Sequence, residues 1–340
     1  MRGICFDDEH KQIVVCDYNN RRLSIWSSDG SQFITTVNIP NNNQYPWSVC
    51  MDKYANHSSS NNNNRIQVFN AADGKFISKC GTQGNGNGQF YTPRGICLHP
   101  SNNNIIVADY NNNRVQMLND QFRFVSMIGD NLLESPQAVD CSSLPPHSIV
   151  AADDQNQIHL FSPSSNNNNN NSDYQLVRSF CSNGSSYNQT NSVYGICFDD
   201  EHKQIVVCDF YNRRLSIWSS DGSQFITTVN IPNNQYPWCV FMDKYANHSS
   251  SKNNSNSNVH RMIVGTVSQI LVFDARKLQA LQTQPQQQQQ QGSVLDVIQS
   301  IGSPTSGSKA GEFNCVFGVC VDENGYLWAS DYSNHRIQRF

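Results

Sequence analysis

Near the end of the chain, residues 331–337 read DYSNHRI, and three earlier stretches follow the same pattern. They are DYNNRRL at residues 17–23, DYNNNRV at residues 109–115 and DFYNRRL at residues 209–215. Each stretch has Asp first, Asn three positions later and Arg five positions later, followed by an aliphatic residue. We call this pattern the Asp-Asn-Arg motif. Its recurrence indicates a repeat protein in which every unit needs the same local structure.

The sequence around the motif repeats as well. Residues 3–40 and 195–232 differ at two positions, and a looser repeat of about 40 to 55 residues continues through the rest of the chain. In the unit that starts at Gly195, the apolar runs GICFDD, KQIVVCDF, RRLSIWSS and QFITTVNI are separated by Asp, Asn, Gly and Ser. Runs rich in β-branched and aromatic residues between such breaks predict strands. Each unit is therefore expected to form four strands.

Seven stretches are similar to the first strand of this unit. They begin at Gly3, Trp47, Gly95, Gln137, Gly195, Trp238 and Gly318. Four-stranded antiparallel sheets repeated at this spacing predict a β-propeller, because each small sheet exposes two apolar faces that only its neighbours can cover. The expected fold class is all-β, with a single propeller domain over residues 1–340. Seven repeat units predict a ring of six or seven blades.

Two of the seven units look incomplete in sequence. In the second unit, a run of Asn residues leads directly to RIQVF at Arg65, so this unit is expected to lack its second strand. The seventh unit stops after its third strand. Both departures leave the number of blades open.

Four stretches rich in Asn, Ser or Gln interrupt the repeats, near residues 58–64, 164–172, 249–258 and 282–292. Such polar segments do not build a core and are expected to be long loops. They fall between first and second strands or between third and fourth strands, and both connections leave an antiparallel sheet on the same side. The opposite end of the ring is therefore expected to stay free of inserts.

The composition disfavours several classes of function. The formal net charge is -4 and no run of Lys and Arg exceeds two residues, so binding to nucleic acid through clustered cations is not favoured. No apolar run is long enough to cross a bilayer and no signal peptide is recognised, so a cytoplasmic protein without membrane contact is expected, with the nucleus as an alternative. The twelve cysteines form no CxxC pair and are expected to be buried thiols.

No motif predicts a cofactor or a metal. GTQGNGNGQF at residues 81–90 lacks the GK[ST] sequence and the following helix of a phosphate-binding loop, so it is expected to be a loop between two units. The nine histidines form no HxH or HExxH pair. A zinc site assembled from separate blades would leave no signal in the sequence.

The first strand, the Asp-Asn-Arg motif and the third strand together resemble the NHL repeat family, whose name comes from a segment close to NHRI at residues 334–337. The resemblance covers nearly the whole chain, with four good repeats and three degenerate ones. It implies a β-propeller, usually of six blades. The fourth unit has Asp153 and Asn156 without an Arg at the expected place, and the sixth lacks the motif.

The Asp-Asn-Arg motif is expected to build the turn between the second and third strands. Asp accepts hydrogen bonds from backbone N–H groups, Asn adopts the left-handed conformation of such turns, and Arg pairs with the Asp or reaches a neighbouring blade. The residues given this structural role are Asp17, Asn20, Arg22, Asp109, Asn112, Arg114, Asp209, Asn212, Arg214, Asp331, Asn334 and Arg336. A ring of carboxylates binding a cation is the alternative, but the Arg of each motif would neutralise the charge.

Two positions inside each motif are not constrained by the turn and are candidates for partner binding. They are Tyr18, Asn19, Tyr110, Asn111, Phe210, Tyr211, Tyr332 and Ser333. Aromatic side chains on the loops of a rigid scaffold are typical of protein interfaces. The two differences between the copied blocks also fall here, with Tyr18 and Asn19 in one copy and Phe210 and Tyr211 in the other. We expect these side chains to project from the insert-free end.

The expected function is to bind a protein partner, without chemistry of its own. NHL propellers commonly form the substrate-recognition end of RING-type and tripartite-motif ubiquitin ligases, so the resemblance implies a role in such a system, although this chain has no zinc-spaced Cys and His set of its own. Two alternatives remain open. Some members of the family bind RNA through a basic face, and related six-bladed propellers include metal-dependent lactonases and lyases.

Overall fold

The protein is described by a computed structural model that covers residues 4–7, 12–17, 22–27, 33–38, 46–51, 55–60, 64–70, 76–164, 173–243, 260–278, 295–322 and 324–340. Strands dominate this part of the chain, as the sequence predicts. The short 3-10 helices Tyr110–Asn112 and Pro232–Asn234 are three residues long. Among the described residues, no helix has the length and apolar character needed to cross a membrane.

The described residues form 27 strands in seven antiparallel sheets, which we number as blades 1 to 7. Blade 1 contains β1 (Ile4–Asp7), β2 (Gln12–Asp17), β3 (Arg22–Ser27) and β4 (Phe33–Asn38), and blade 2 contains β5 (Pro46–Met51), β6 (Ala55–Ser60), β7 (Arg65–Asn70) and β8 (Phe76–Cys80). Blade 3 contains β9 (Pro93–Leu98), β10 (Ile105–Asp109), β11 (Arg114–Leu118) and β12 (Phe124–Ile128), and blade 4 contains β13 (Ala138–Cys141), β14 (Ile149–Ala152), β15 (Ile158–Pro163) and β16 (Tyr174–Phe180). Blade 5 contains β17 (Val193–Asp199), β18 (Gln204–Asp209), β19 (Arg214–Ser219) and β20 (Phe225–Asn230), blade 6 contains β21 (Cys239–Asp243), β22 (Arg261–Gly265), β23 (Gln269–Asp274) and β24 (Val297–Gly302), and blade 7 contains β25 (Val316–Val321), β26 (Leu327–Asp331) and β27 (Arg336–Arg339).

The first strands of the blades surround the axis of a closed ring. Each of β1, β5, β9, β13, β17 and β21 contacts the first strand of the next blade, and β25 contacts β1. The strands of each blade are hydrogen-bonded in chain order, so every blade is an up-and-down meander. This arrangement confirms the β-propeller and gives seven blades among the described strands.

Blade 2 has four strands, which corrects the expectation that its second strand is missing. The polar segment Ala55–Ser60 forms β6 and pairs with both β5 and β7. Ser60 lies opposite Arg65 in the register of β6 and β7. A central strand needs only its backbone N–H and C=O groups for the ladder, so a mostly polar segment still completes the sheet.

The apolar core lies between blades rather than inside any one of them. One cluster joins Val206 and Leu215 of blade 5 to Met262 and Leu271 of blade 6. Equivalent clusters join blades 2 and 3, 3 and 4, 4 and 5, and 6 and 7, and Ile4 of blade 1 packs in the cluster that contains Cys320 and Trp328 of blade 7. The cysteines whose side chains the structure describes are free thiols. Each sheet thus depends on its two neighbours to bury its faces.

A repeated glycine lets adjacent first strands approach closely. A Cβ atom added to Gly95 in β9 would lie 3.0 Å from the carbonyl oxygen of Gln137 and 3.0 Å from the backbone nitrogen of Val139, in blade 4. Gly195 occupies the same position in blade 5, where a Cβ atom would lie 3.0 Å from the Cα of Cys239. The neighbouring atoms are backbone, which has little freedom to move away.

The variant Gly95→Ala is expected to lower the free energy of unfolding by about 1–3 kcal/mol, because its methyl group pushes blades 3 and 4 apart. Chemical unfolding followed by circular dichroism measures this loss. Gly86→Ala is the matched control, since a Cβ atom there meets the Oε1 of Gln89, the end of a flexible side chain, at 2.9 Å. Equal losses in the two variants would contradict the role assigned to Gly95.

The motif acid of blade 3 is fully buried and binds four donors. Asp109 Oδ1 accepts the backbone N–H of Tyr91 at 2.7 Å. Its Oδ2 accepts from Asn112 Nδ2 at 2.8 Å, Arg114 Nε at 2.9 Å and Gln116 Nε2 at 3.0 Å. Burial raises the pKa of Asp109 and outweighs the hydrogen bonds from Asn112, Tyr91 and Arg114, which lower it. The buried charge therefore depends on its full set of donors.

The Arg of the motif fixes the loop that enters the blade. Arg114 donates to the carbonyl oxygens of Asn85, Gly86 and Gln89 at 2.7, 2.8 and 2.9 Å. These residues belong to the glycine-rich segment 81–90, which connects β8 to β9 as the sequence predicts. Three hydrogen bonds from one guanidinium group to carbonyl oxygens of one loop hold that loop against the motif.

The same bonds recur in blades 5 and 7. Asp209 accepts from Arg214 Nε at 2.7 Å, and Asp331 accepts from Arg336 Nε at 2.8 Å. Each acid also accepts a backbone N–H from the loop that enters its own blade. We call this arrangement the Asp-Arg staple, since it joins the turn between second and third strands to the preceding loop.

The left-handed residue of the turn is not the shared Asn, which corrects the sequence interpretation. The next residue has positive φ in blades 3, 5 and 7, namely Asn113, Arg213 and His335 at 56°, 55° and 54°. The shared side chains of Asn112, Asn212 and Asn334 donate both to the motif Asp and to a carbonyl oxygen of the entering loop. In blade 1, Asn20 and the side chain of Asp17 lie outside the described residues, while Asp17 and Arg22 are partners in the hairpin register.

Blade 4 keeps the acid without the Arg. Asp153 Oδ2 and His159 Nε2 are 2.9 Å apart, and both side chains are buried. Asp153 also accepts the backbone N–H groups of Gln155 and Gln157 at 3.0 Å. A buried imidazole thus takes part of the role that Arg has in the other blades.

The variant Asp109→Asn is expected to lower the free energy of unfolding by about 3–5 kcal/mol, because it leaves the buried Arg114 charge without its carboxylate. The exposed Asp120 of the same blade provides the control, and Asp120→Asn is expected to change stability by less than about 0.5 kcal/mol. Unfolding curves of both variants test this. A small loss at Asp109 would mean that the staple is not a main source of stability.

Candidate binding site at the insert-free end

The two ends of the ring carry different connections. The chain segments 165–172, 244–259 and 279–294 link β15 to β16, β21 to β22 and β23 to β24, so they all leave the sheets at one end, which we call the insert end. The motif turns and the loops between blades lie at the other end, which we call the clear end. The sequence insert near residues 58–64 differs, since residues 58–60 belong to β6. The structures of the other three inserts lie outside the described residues.

An aromatic cluster spans blades 5, 6 and 7 at the clear end. Its members are Tyr194, Phe210, Tyr211, Tyr236, Trp238, Phe317 and Tyr332. Trp238 lies at its centre, with ring centroids 4.9 Å from Tyr194, 4.3 Å from Phe210 and 4.2 Å from Phe317. Tyr332 extends the cluster, 4.8 Å from Phe317. These spacings are those of packed aromatic pairs.

The repeat explains how residues distant in sequence meet here. Tyr194, Trp238 and Phe317 hold equivalent positions at the start of the first strands of three successive blades. Phe210 and Tyr332 hold the position that directly follows the motif Asp. Because first strands surround the axis, their opening residues form the mouth of the ring. The motif turns place further rings around that mouth.

The candidate positions of blades 5 and 7 differ in exposure. Phe210 is 7% exposed and Tyr211 is 54% exposed. The expectation that all candidate side chains project is therefore wrong for Phe210, which packs against Trp238 and Tyr236. Tyr332 is half-buried, so it shows part of its ring to solvent. Tyr211 is the freely accessible aromatic ring of the cluster.

The side of the mouth formed by blades 3 and 4 is polar. The guanidinium of Arg94 lies 3.4 Å from the ring centroid of Tyr110 and donates to Gln137 Oε1 at 2.7 Å. The Tyr110 hydroxyl and the Gln137 amide both donate to Asp154. Burial raises the pKa of Tyr110, the bond to Asp154 raises it further, and Arg94 acts in the opposite direction. Tyr110 is therefore engaged in a network between blades and lies apart from the aromatic cluster.

The remaining candidates lie at the rim or outside the described residues. Asn111 and Ser333 are exposed, and their backbone N–H groups donate to the carbonyls of Tyr91 and Asn314 at 2.9 Å. This bond fixes the backbone while the side chain remains at the surface. Tyr18 and Asn19 of blade 1 lie outside the described residues.

The structure adds site residues that sequence reasoning missed. Tyr194, Trp238 and Phe317 complete the cluster, and Tyr236 covers Phe210 at 4.9 Å. The available signal was an aromatic residue at the start of the first strand, which occurs in three consecutive units. The carboxylates of Asp109, Asp209 and Asp331 do not form an open ring, since each is fully buried and bound to its own Arg.

Comparison with known families agrees with the geometry. A family model described as an NHL repeat matches residues 313–340, and one described as a 6-bladed beta-propeller matches residues 58–263. The second match begins in β6 and ends in β22, within a ring that has seven sheets here. No curated protein matches the chain. Because the propeller model covers more than half of the residues, the chain belongs to the 6-bladed β-propeller family and carries an NHL repeat at residues 313–340.

Proposed function

We propose that this chain is a non-catalytic scaffold that binds an extended segment of a partner protein at its clear end. The aromatic cluster would hold an aliphatic or aromatic anchor residue of that segment. A β-propeller with an NHL repeat supports a protein-interaction scaffold in general. The single observation that carries the narrower proposal is the continuous aromatic surface across blades 5, 6 and 7, with Tyr211 exposed beside it.

The geometry favours recognition by insertion of a side chain. Trp238 packs between Tyr194 and Phe317, so the rings are already held in place before a ligand arrives. Rigid aromatic residues give contact area at low entropic cost, and such residues dominate the binding energy of protein interfaces. The staples fix the loops around the cluster, which lowers the cost of ordering them on binding.

The arginines of the clear end are used within the protein, which favours a protein partner over RNA. Arg214 donates to Asp209 and to two loop carbonyls, and Arg213 donates to Asn234 and Tyr236. Arg94 lies on Tyr110. Binding to a nucleic acid backbone needs cations that face solvent and release counterions. These guanidinium groups have their donors directed at protein atoms instead.

The proposal includes a place in a ubiquitin-ligase system as a substrate-recognition module. This narrower part rests on the resemblance of the repeats to those of RING-type and tripartite-motif ligases. The proposed binding of a partner segment at the aromatic cluster does not depend on this ubiquitin-ligase role.

The test selects peptides from a random display library against the purified chain and measures their affinity for three variants. Tyr211→Ala is expected to weaken the selected peptides by at least about tenfold, because an exposed aromatic contact at an interface centre contributes more than about 1.4 kcal/mol. Phe317→Ala, inside the cluster, is expected to weaken them at least as much.

Leu144→Ala is the matched control, because Leu144 is 45% exposed and lies between β13 and β14 at the insert end. It is expected to leave the affinities unchanged. Peptides that bind Tyr211→Ala and Phe317→Ala as tightly as the parent chain would overturn the proposal. Binding of a uridine homopolymer with a steep salt dependence would favour the RNA alternative instead.

A further inference from the structure

A second group of side chains lies at the insert end, between blades 5 and 6. The Nδ1 of His202 is 2.8 Å from Asp199 Oδ2, and the Nε2 of His260 is 3.1 Å from Asp199 Oδ1. The three ligand atoms all lie within 4.8 Å of one another. Asp199 ends β17, His202 lies in the following hairpin, and His260 directly precedes β22 of the next blade.

The outer nitrogen of His260 has its own acidic partner. Its Nδ1 is 2.7 Å from Glu201 Oε2, while the Nε2 faces Asp199. A carboxylate that holds the far nitrogen of an imidazole is the usual arrangement around histidines that bind metals, because it fixes the tautomer and the ring orientation. This contact is independent of Asp199 and orients the imidazole so that its Nε2 faces the Asp199 carboxylate.

The group borders an open cavity of about 350 Å³. Asp199, Glu201 and His260 line the cavity, together with the carboxylates of Asp140, Asp200 and Asp243. The side chains of Asp199 and His202 are almost fully buried, whereas that of His260 is 13% exposed. A cation in this cavity thus meets the His260 imidazole and the buried Asp199 carboxylate, with His202 directly behind Asp199.

We propose that Asp199, His202 and His260 bind one divalent transition-metal ion of the zinc class, which joins blade 5 to blade 6. Two nitrogen ligands and one carboxylate oxygen suit zinc and disfavour calcium and magnesium, which prefer oxygen ligands. The adjacent ligand atoms of a tetrahedral zinc site are separated by about 3.3 Å, given bonds of about 2.0–2.1 Å. Here His202 Nδ1 is 2.8 Å from one oxygen of Asp199 and His260 Nε2 is 3.1 Å from the other, so one ion binds either when the imidazoles converge on one oxygen or when Asp199 binds through both. The fourth position faces the cavity and takes water.

The charges of the group match a divalent ion. Asp199 lies against both histidines, and Glu201 places a second carboxylate at the outer edge. An ion of charge +2 balances these two carboxylates when both imidazoles bind it as neutral ligands. The site is separate from the aromatic cluster, since it lies at the opposite end of the ring.

The duplicated block repeats two of the three ligands in sequence. Residues 3–40 repeat the sequence of blade 5, so Asp7 and His10 correspond to Asp199 and His202. In sequence, Tyr54 comes directly before β6, as His260 comes directly before β22. Within the part of the chain that the structure describes, Asp199, His202 and His260 form the one group of this kind.

The test strips the purified full chain with a chelator and titrates it with Zn²⁺ against a chromophoric chelator, with a phosphine reductant present. One equivalent of Zn²⁺ is expected to bind, without competition from Mg²⁺. His202→Gln and His260→Gln are expected to weaken binding at least about 100-fold, and Glu201→Gln about 10–100-fold. Because the Glu201 side chain is 55% exposed, its substitution leaves folding intact. Co²⁺ is expected to give the strong visible absorption of a four-coordinate ion.

Two variants serve as controls. His10→Gln alters the copied block, and Cys141→Ser alters the cysteine that lines the same cavity. Both are expected to keep the single equivalent of zinc. The absence of zinc binding in the parent chain would overturn the proposal without reference to any variant. Equal affinities in the parent chain, Glu201→Gln and His260→Gln, or a loss with Cys141→Ser, would assign the ion to other ligands and overturn it as well.

Discussion

The structure depends on one constraint, which is that no blade covers its own apolar faces. A sheet of four short strands exposes hydrophobic side chains on both sides, so it is stable only between two neighbours. The clusters that join Val206 to Met262 and Ile4 to Trp328 show this dependence within the chain and across its closure. The ring is therefore a consequence of burial, and the glycines at Gly95 and Gly195 let the inner strands approach as far as that burial requires.

The loops at the two ends of the ring are held by different contacts. At the clear end, each Asp-Arg pair binds the loop that enters its blade, and the loop length there is fixed by those bonds. At the insert end, Asp243 and Arg261 pair at the base of the connection between β21 and β22, but the lengths of these connections vary widely between blades. Doubling the length of a free loop costs only about 0.6 kcal/mol. Long polar segments are therefore tolerated where they occur, and the stapled end keeps a defined surface.

The fold could be predicted from the sequence because the same pattern of strands and turns recurs several times along the chain. Strand β6 could not be predicted, because its sequence ANHSSS has no alternation of apolar and polar residues. It is a strand because it pairs with β5 on one side and β7 on the other. The position of Phe210 could not be predicted either, because its burial depends on Trp238 of the next blade. The Asp199 group is still less visible, since His260 is 61 residues away from Asp199 and has no partner in the sequence pattern. Local sequence patterns predict individual strands, whereas a site between two blades depends on the closed ring to bring distant residues together.

The two copied blocks agree along their strands and differ at the motif turn. Every residue that forms strands is identical in residues 3–40 and 195–232, and the partners of the aromatic cluster recur in sequence as Tyr45 and Trp47. The two differences replace Phe210 by Tyr18 and the exposed Tyr211 by Asn19. The blades that follow the two copies differ within a strand, since Ser48 and Cys50 of β5 stand in place of Cys239 and Phe241 of β21. Phe210 packs against Trp238 of the next blade, so that turn position contributes to burial between blades. Tyr211 is 54% exposed, so a polar side chain at its position removes little buried surface from the ring.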